Sequence, residues 1–206
     1  MLKVSNSTVM NFENAIRGAR NPMNSWDKSD SRYEEGRFVL GPNDLSLACR
    51  LCSAGRDHRK FIRQIFVSVD IEAPIYWWKE FDTYKVGTVA NSTSTMHKIH
   101  SRPFSPDQFS FDNLTEESEE FSLELLAYLE SLRKKYLKTK DKALWLDIIK
   151  LLPSSYNQLR TVTLNYEVLN NIYHARKNHK LSEWHTFCDY IATLPYAKEL
   201  IIIKED

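Results

Sequence analysis

Between residues 64 and 74, in QIFVSVDIEAP, Ile65, Val67, Val69 and Ile71 alternate with Phe66, Ser68, Asp70 and Glu72. A period of two puts four branched aliphatic side chains on one face of an extended chain, and that face must be covered. Pro74 ends the alternation and suits the first turn of a helix, so a helix over 74–82 leaves the strand directly and carries Trp77, Trp78 and Phe81. A fold that satisfies this stretch needs a sheet with a buried face and helices laid against it.

Other patterns supply those elements. A short strand near 2–9 precedes a helix near 11–20. The polar, turn-rich stretch 21–37 reads as a long loop, and loops of that length are more often functional or mobile than filler. Asn43 or Asp44 caps a helix running to Ala54, with Gly55 as its stop signal. Residues 116–138 read as one amphipathic helix with Phe121, Leu125, Tyr128, Leu129, Leu132 and Tyr136 on its apolar face, and a second, about 140–151, stops at Pro153. QLRTVTLN (158–165) reads as a strand. A helix pair follows, its second member capped by Ser182. The class is α+β: a small mixed or antiparallel sheet with several helices, in a single domain over 1–206 with a helical insertion at about 115–152.

Composition narrows the function. The 28 basic and 27 acidic residues nearly cancel, which argues against a generic nucleic-acid binder. The basic run at 132–142 reads as the solvated end of a helix. Cys49 and Cys52 have redox or half-zinc spacing, but they fall inside a helix and no second ligand pair exists, so they read as helix-core thiols and no metal is expected. His97 and His100 lack a nearby third ligand and read as surface histidines. Nowhere do about 18 apolar residues run together, and the N-terminus lacks a signal-like apolar run, so a cytoplasmic protein with no membrane partner is expected. There is no glycine-rich phosphate loop and no Gly-x-Ser-x-Gly elbow.

Two stretches keep chemical interest. One is 76–98, where an aromatic helix runs into Asn91-Ser92-Thr93-Ser94-Thr95. The other is 165–185, where Asn165, Arg176 and several histidines surround a helix–turn–helix. Hydroxyls, amides and an arginine are the equipment for holding a phosphate and a sugar, with aromatics to stack a ring. The same residues also read as a core tryptophan pair followed by a helix cap and turn.

The sequence resembles the flavin-dependent thymidylate synthases in two blocks, roughly 58–97 and 150–187. The first block has His58, then the alternating strand, then Ala73-Pro74-Ile75 opening a helix, in that family's order. The family's Arg-His-Arg positions hold Thr83, Tyr84 and Lys85. Thr88, Asn91 and Ser94 fall on its Ser, Asn and second Ser, with one extra residue before Asn91, and Met96 stands for its final Arg. A flavin-side histidine position holds Gln64. In the second block, Thr163-Leu164-Asn165 is similar to the family's Thr-Val-Asn, Arg176 falls on a nucleotide-binding arginine, and Trp184 resembles a nearby tryptophan.

The resemblance implies an α+β homotetramer that binds FAD and a pyrimidine nucleotide such as dUMP, and moves a methylene group and a hydride to pyrimidine C5. It implies cofactor contacts from His58, Thr83, Tyr84, Lys85, Asn91 and Asn165. Substrate contacts would come from Lys79, Thr88, Ser94 and Arg176, and catalytic roles from Lys85 and Arg176. Three expectations stay open: an active flavoenzyme, a nucleotide-binding protein without chemistry, and a structural oligomer with a vestigial pocket.

Overall fold

The computed structural model describes residues 1–203. Its strands are β1 (Lys3–Met10), β2 (Arg32–Glu34), β3 (Arg37–Val39), β4 (Phe66–Pro74), β5 (Thr88–Ser92) and β6 (Asn157–Asn165). Four of them hydrogen-bond in the order β1-β4-β6-β5, and β2 and β3 form a separate antiparallel hairpin. The helices are α1 (Phe12–Arg20), α2 (Pro42–Ser53), α3 (Ile75–Phe81), α4 (Thr95–Lys98), α5 (Glu116–Thr139), α6 (Lys142–Leu151), α7 (Tyr166–Arg176), α8 (Ser182–Ala192) and α9 (Ala197–Leu200). The α+β expectation holds. No helix among the described residues is long and apolar enough to cross a membrane.

The alternation in β4 does what its period requires. Val67, Val69, Ile71 and Ala73 are fully buried, whereas Phe66 is 37% exposed. Tyr166 N donates to Ile65 O and Ile75 N donates to Tyr156 O, so β4 and β6 run antiparallel. Pro74 is the last strand residue and the N-cap of α3 rather than its first turn.

The chain divides into two compact units. One comprises residues 1–3, 71–83 and 91–161; the other comprises 4–70, 84–90 and 162–203. In the first unit the core gathers Ile99, Phe104, Phe109, Leu126, Leu129, Leu132 and Ile148. Trp77 and Trp78 are fully buried and pack edge-on at 4.9 Å, with Phe81 stacked on Trp77 at 5.0 Å. Trp78 Nε1 donates to Gln158 O, and the Arg160 guanidinium lies 4.2 Å above the Trp78 ring while pairing with Asp82. The tryptophans are core.

The face expected for α5 needs correcting. Leu126, Leu129, Leu132 and Arg133 are its buried residues, whereas Phe121 and Tyr128 are 66% and 51% exposed. Burial selects a stripe at spacing three to four, and Phe121 and Tyr128, seven residues apart, lie off it. Arg133 joins the stripe because Glu130 takes its guanidinium in a two-pronged contact of 2.7 Å at each prong.

In the second unit Ile16, Ile62, Ile65, Val67, Val69, Leu164, Leu169, Trp184 and Phe187 are buried to within 2% of full exclusion. The stretch 21–37 is built, not loose: two 3₁₀ turns, Asn21–Met23 and Trp26–Lys28, lead into the hairpin. A buried Asp44 organises it. Its Oδ1 accepts from Arg20 Nε at 2.6 Å, and its Oδ2 accepts from Ser29 Oγ, Ser31 Oγ and the amides of Asp30 and Ser31. Asp44 therefore does not cap α2, and neither does Asn43. The N-cap is Gly41, and the Asp30 carboxylate accepts from the Asn43 and Asp44 amides. A Cβ on Gly41 would sit 2.3 Å from the Asp30 carboxylate, which is why glycine stands there. Likewise α8 is N-capped by Leu181, and Ser182 is its first residue.

Candidate functional site

Helix α7 arranges the polar residues of the second unit. Asn165 ends β6 in extended conformation and is the N-cap of α7, its Oδ1 accepting from Val168 N at 3.0 Å. That bond satisfies one of the orphan donors of the first turn and fixes the amide end of the side chain. The amide lies against Gly87: a Cβ there would stand 2.8 Å from Asn165 Nδ2 and 3.3 Å from Val168 Cγ2. Gly87 has φ +82°, a conformation glycine adopts without penalty. Beside it, the buried Thr88 Oγ1 meets no hydrogen-bond partner among the described residues.

Arg176 closes the other end of α7, where the helix dipole favours a cation. Its Nε donates to Tyr84 Oη at 3.0 Å, and its guanidinium stands 5.0 Å from the Trp184 ring centre and 5.7 Å from that of Tyr84. Trp184 is fully buried and meets Tyr84 and His179 edge-on, each at 6.2 Å. Two rings and one hydroxyl thus set the plane of the guanidinium.

Asn165 and Arg176 lie about 16 Å apart along the helix, at 1.5 Å per residue. Segment 84–88 touches both: Tyr84 meets Arg176, and Gly87 meets Asn165. The arrangement is a strip suited to an extended ligand. His58 is exposed, and the next residue, Arg59, is buried and donates to Glu167 through Nε at 2.8 Å and Nη2 at 3.3 Å. This pair fastens the segment carrying His58 to the first turn of α7.

Within the second unit, then, the structure brings together Tyr84, Thr88, Asn165 and Arg176, with His58 attached through its neighbour and Lys85 exposed beside Tyr84. The remaining expected residues belong to the first unit. Lys79 is exposed on α3, and the Thr83 hydroxyl donates to Glu80 O at 2.7 Å. Asn91 is exposed on β5, and Ser94 is the N-cap of α4, accepting from His97 N at 3.0 Å. Thr93 N and Oγ1 both donate to Leu159 O. Much of the hydroxyl run is therefore spent on a cap and a strand edge.

Gly87, Arg59 and Glu167 were not read from the sequence. Gly87 is a lone glycine in KVGT whose signal was its isolation in a polar segment. For Arg59 and Glu167, 108 residues apart, the sequence carried no signal of pairing. Among the described residues no group of three or more His, Cys, Asp or Glu side chains is placed to hold a metal ion.

This architecture is the fold of the flavin-dependent thymidylate synthases. The crystal structure of thymidylate synthase X from Helicobacter pylori with FAD and dUMP superposes with a TM-score of 0.73 at 16% identity, covering 98% of this chain and 97% of that one. A second structure of the Helicobacter pylori enzyme with the same ligands gives 0.73 at 17% identity, covering 97% of each chain. A UMP/dUMP methylase from Streptomyces cacaoi bound with 5-bromo-dUMP gives 0.62 at 14% identity, over 97% of this chain and 90% of that one. No family model and no curated protein sequence matches the chain.

Proposed function

We propose that the chain binds a pyrimidine nucleotide of the dUMP type together with FAD, and that it serves one-carbon and hydride transfer to pyrimidine C5. The observation that carries this reading is the strip along α7, with an oriented Arg176 at one end and the Asn165–Gly87–Thr88 cradle at the other. FAD, when bound, supplies the hydride. The residues present fit such a ligand: Thr88 Oγ1 is buried without a partner, and only a glycine lets the backbone approach Asn165 so closely.

The chain's own residues bind and orient. Arg176 offers a planar charge-assisted contact to a phosphate or to a ring carbonyl. Thr88 and Asn165 offer a hydroxyl and an amide to a polar ring edge. Lys85 and His58, in the same unit, extend the cofactor contacts. The buried Trp184 and the half-buried Tyr84 shield one face of Arg176 from water, which strengthens its electrostatics. A homotetramer, as the resemblance implies, is the assembly we propose.

One observation favours a second reading, nucleotide binding without turnover. Tyr84 stands where the family has its histidine, and its hydroxyl is taken up by Arg176. The two readings part in one experiment. The purified protein is mixed with excess FAD, desalted, and its absorbance recorded, while dUMP binding is followed by calorimetry. Stoichiometric flavin with an Asn165→Ala variant that loses it supports the flavoenzyme. A colourless protein that binds dUMP through Arg176 supports the second reading, and binding of neither ligand overturns both.

A further inference from the structure

We propose that a groove along α2, remote in sequence from Arg176 and unused by the reading above, binds a small organic anion with an apolar body. The groove holds about 730 Å³, within the range of small-molecule sites. One wall is a stripe of α2, Asn43, Ser46, Leu47, Arg50 and Leu51, continued by its C-cap Ala54; the other is the turn segment carrying Met23, Ser25 and Lys28. The stripe follows the helical period and runs about 16 Å.

Its charge is one-sided. Arg20, Lys28 and Arg50 line it, and among the described residues no carboxylate does. Arg20, 5% exposed, spends its charge on Asp44 behind the wall. Lys28 and Arg50 form no ion pair among the described residues, and they face the groove from opposite walls. Hydroxyls of Ser25 and Ser46 and the Asn43 amide add neutral donors, while Leu47, Leu51 and the 81%-exposed Met23 supply an apolar surface. Two cations without an ion pair among the described residues, set over aliphatic side chains, match an anionic head on an apolar body.

The groove is also preorganised. Its turn wall is fastened to α2 by the bonds from Arg20, Ser29, Asp30 and Ser31 to Asp44, and by those from the Asn43 and Asp44 amides to Asp30. Rigid walls lower the entropy cost of binding. The long polar stretch between α1 and the hairpin thereby acquires a role as the fixed wall of a site.

Phosphate monoesters and carboxylates share this chemistry, so the test uses both. Phenyl phosphate and phenylacetate are titrated into the full chain by ¹H–¹⁵N NMR, with benzyl alcohol as the neutral analogue. Saturable shifts at Ser25, Lys28, Ser46 and Arg50 are expected for an anion and not for the alcohol, and the tighter anion identifies the head group. Lys28→Gln and Arg50→Gln, both at exposed positions, should each weaken binding by about three- to tenfold, and Arg176→Gln should leave it unchanged. Equal binding of the alcohol, indifference to both substitutions, sensitivity to Arg176→Gln alone, or no saturable shift with either anion overturns the proposal.

Discussion

Arg176 shows how much of a charged group's value depends on what holds it. An arginine on a helix end is ordinary; one whose Nε is fixed by Tyr84 and whose plane lies against Trp184 has lost most of its rotamer freedom before any ligand arrives. Arg176→Ala should weaken dUMP binding by about 2–5 kcal/mol, the range for losing a desolvated charge contact. Tyr84→Phe, which keeps the ring and removes the hydroxyl, should cost about 0.5–1.5 kcal/mol. Calorimetry that finds both variants at wild-type affinity would remove this end of α7 from the nucleotide site. Gly87 makes the complementary case, where the absence of a side chain is the feature. Gly87→Ala meets a positive φ and the Asn165 amide together, and should lower the melting stability by about 1–3 kcal/mol. In an Asn165→Ala background the closest contact is gone, and the backbone term and the looser Val168 contact remain, so the penalty should shrink. A thermal-melt double-mutant cycle with no coupling would show that the contact does not matter.

Helix α7 is fastened at its first turn by the buried Arg59–Glu167 pair, which the exposed Arg56 joins at 3.6 Å. Glu167→Gln takes the carboxylate charge from both Arg59 and Arg56, and should destabilise the fold by about 3–5 kcal/mol. Urea midpoints at neutral pH measure this directly, and a loss below about 1 kcal/mol would mean that Arg59 finds another partner. Long-range pairs of this kind explain what the sequence concealed. The alternation at 65–71, the helices at 12–20 and 166–176 and the core tryptophans were legible, because period and local caps determine them. The resemblance singles out Asn165 and Arg176, which stand at the two ends of α7. The caps of α2 were not: Asp44 looks like a cap in sequence, yet tertiary bonds from Arg20, Ser29 and Ser31 turn it inward, and Asp30 arrives from the preceding segment instead. The face of α5 was misread for a related reason. Its sequence holds apolar residues on more than one stripe, and packing alone decides that Leu126 is covered while Phe121 is not.

Stability against pH brings the two units into one measurement, because each carries a carboxylate held below its ordinary range. Burial pushes Asp44 up, but hydrogen bonds from Ser31, Ser29 and Arg20 outweigh it and hold it low; Arg133 does the same for Glu130. A carboxylate with a depressed folded pKa stabilises the native state above its unfolded value, near pH 4, and that contribution is lost as the pH falls through the lower folded value. The acid limb should therefore begin below about pH 4. The alkaline limb has the opposite origin. Burial pushes the Cys52 thiol up to about 12 and the Cys188 thiol up to about 11, and raises the Tyr166 hydroxyl as well. The unfolded chain then loses those protons first, so stability is fully present below the unfolded thiol value near 8.5 and declines as the pH rises through the folded values. A plateau between about pH 4 and pH 8.5 is the expected profile. Urea midpoints measured across the range test it, and two variants assign its limbs. Asp44→Asn should lower the plateau, because Arg20 loses its counter-charge, and should flatten the acid limb. Cys52→Ala should flatten the alkaline limb and leave the acid limb unchanged. If Asp44→Asn kept the full acid slope, the bonds around Asp44 would not be what couples protons to folding. The fastening of α2 to its preceding turns would then rest on the Asp30 cap alone.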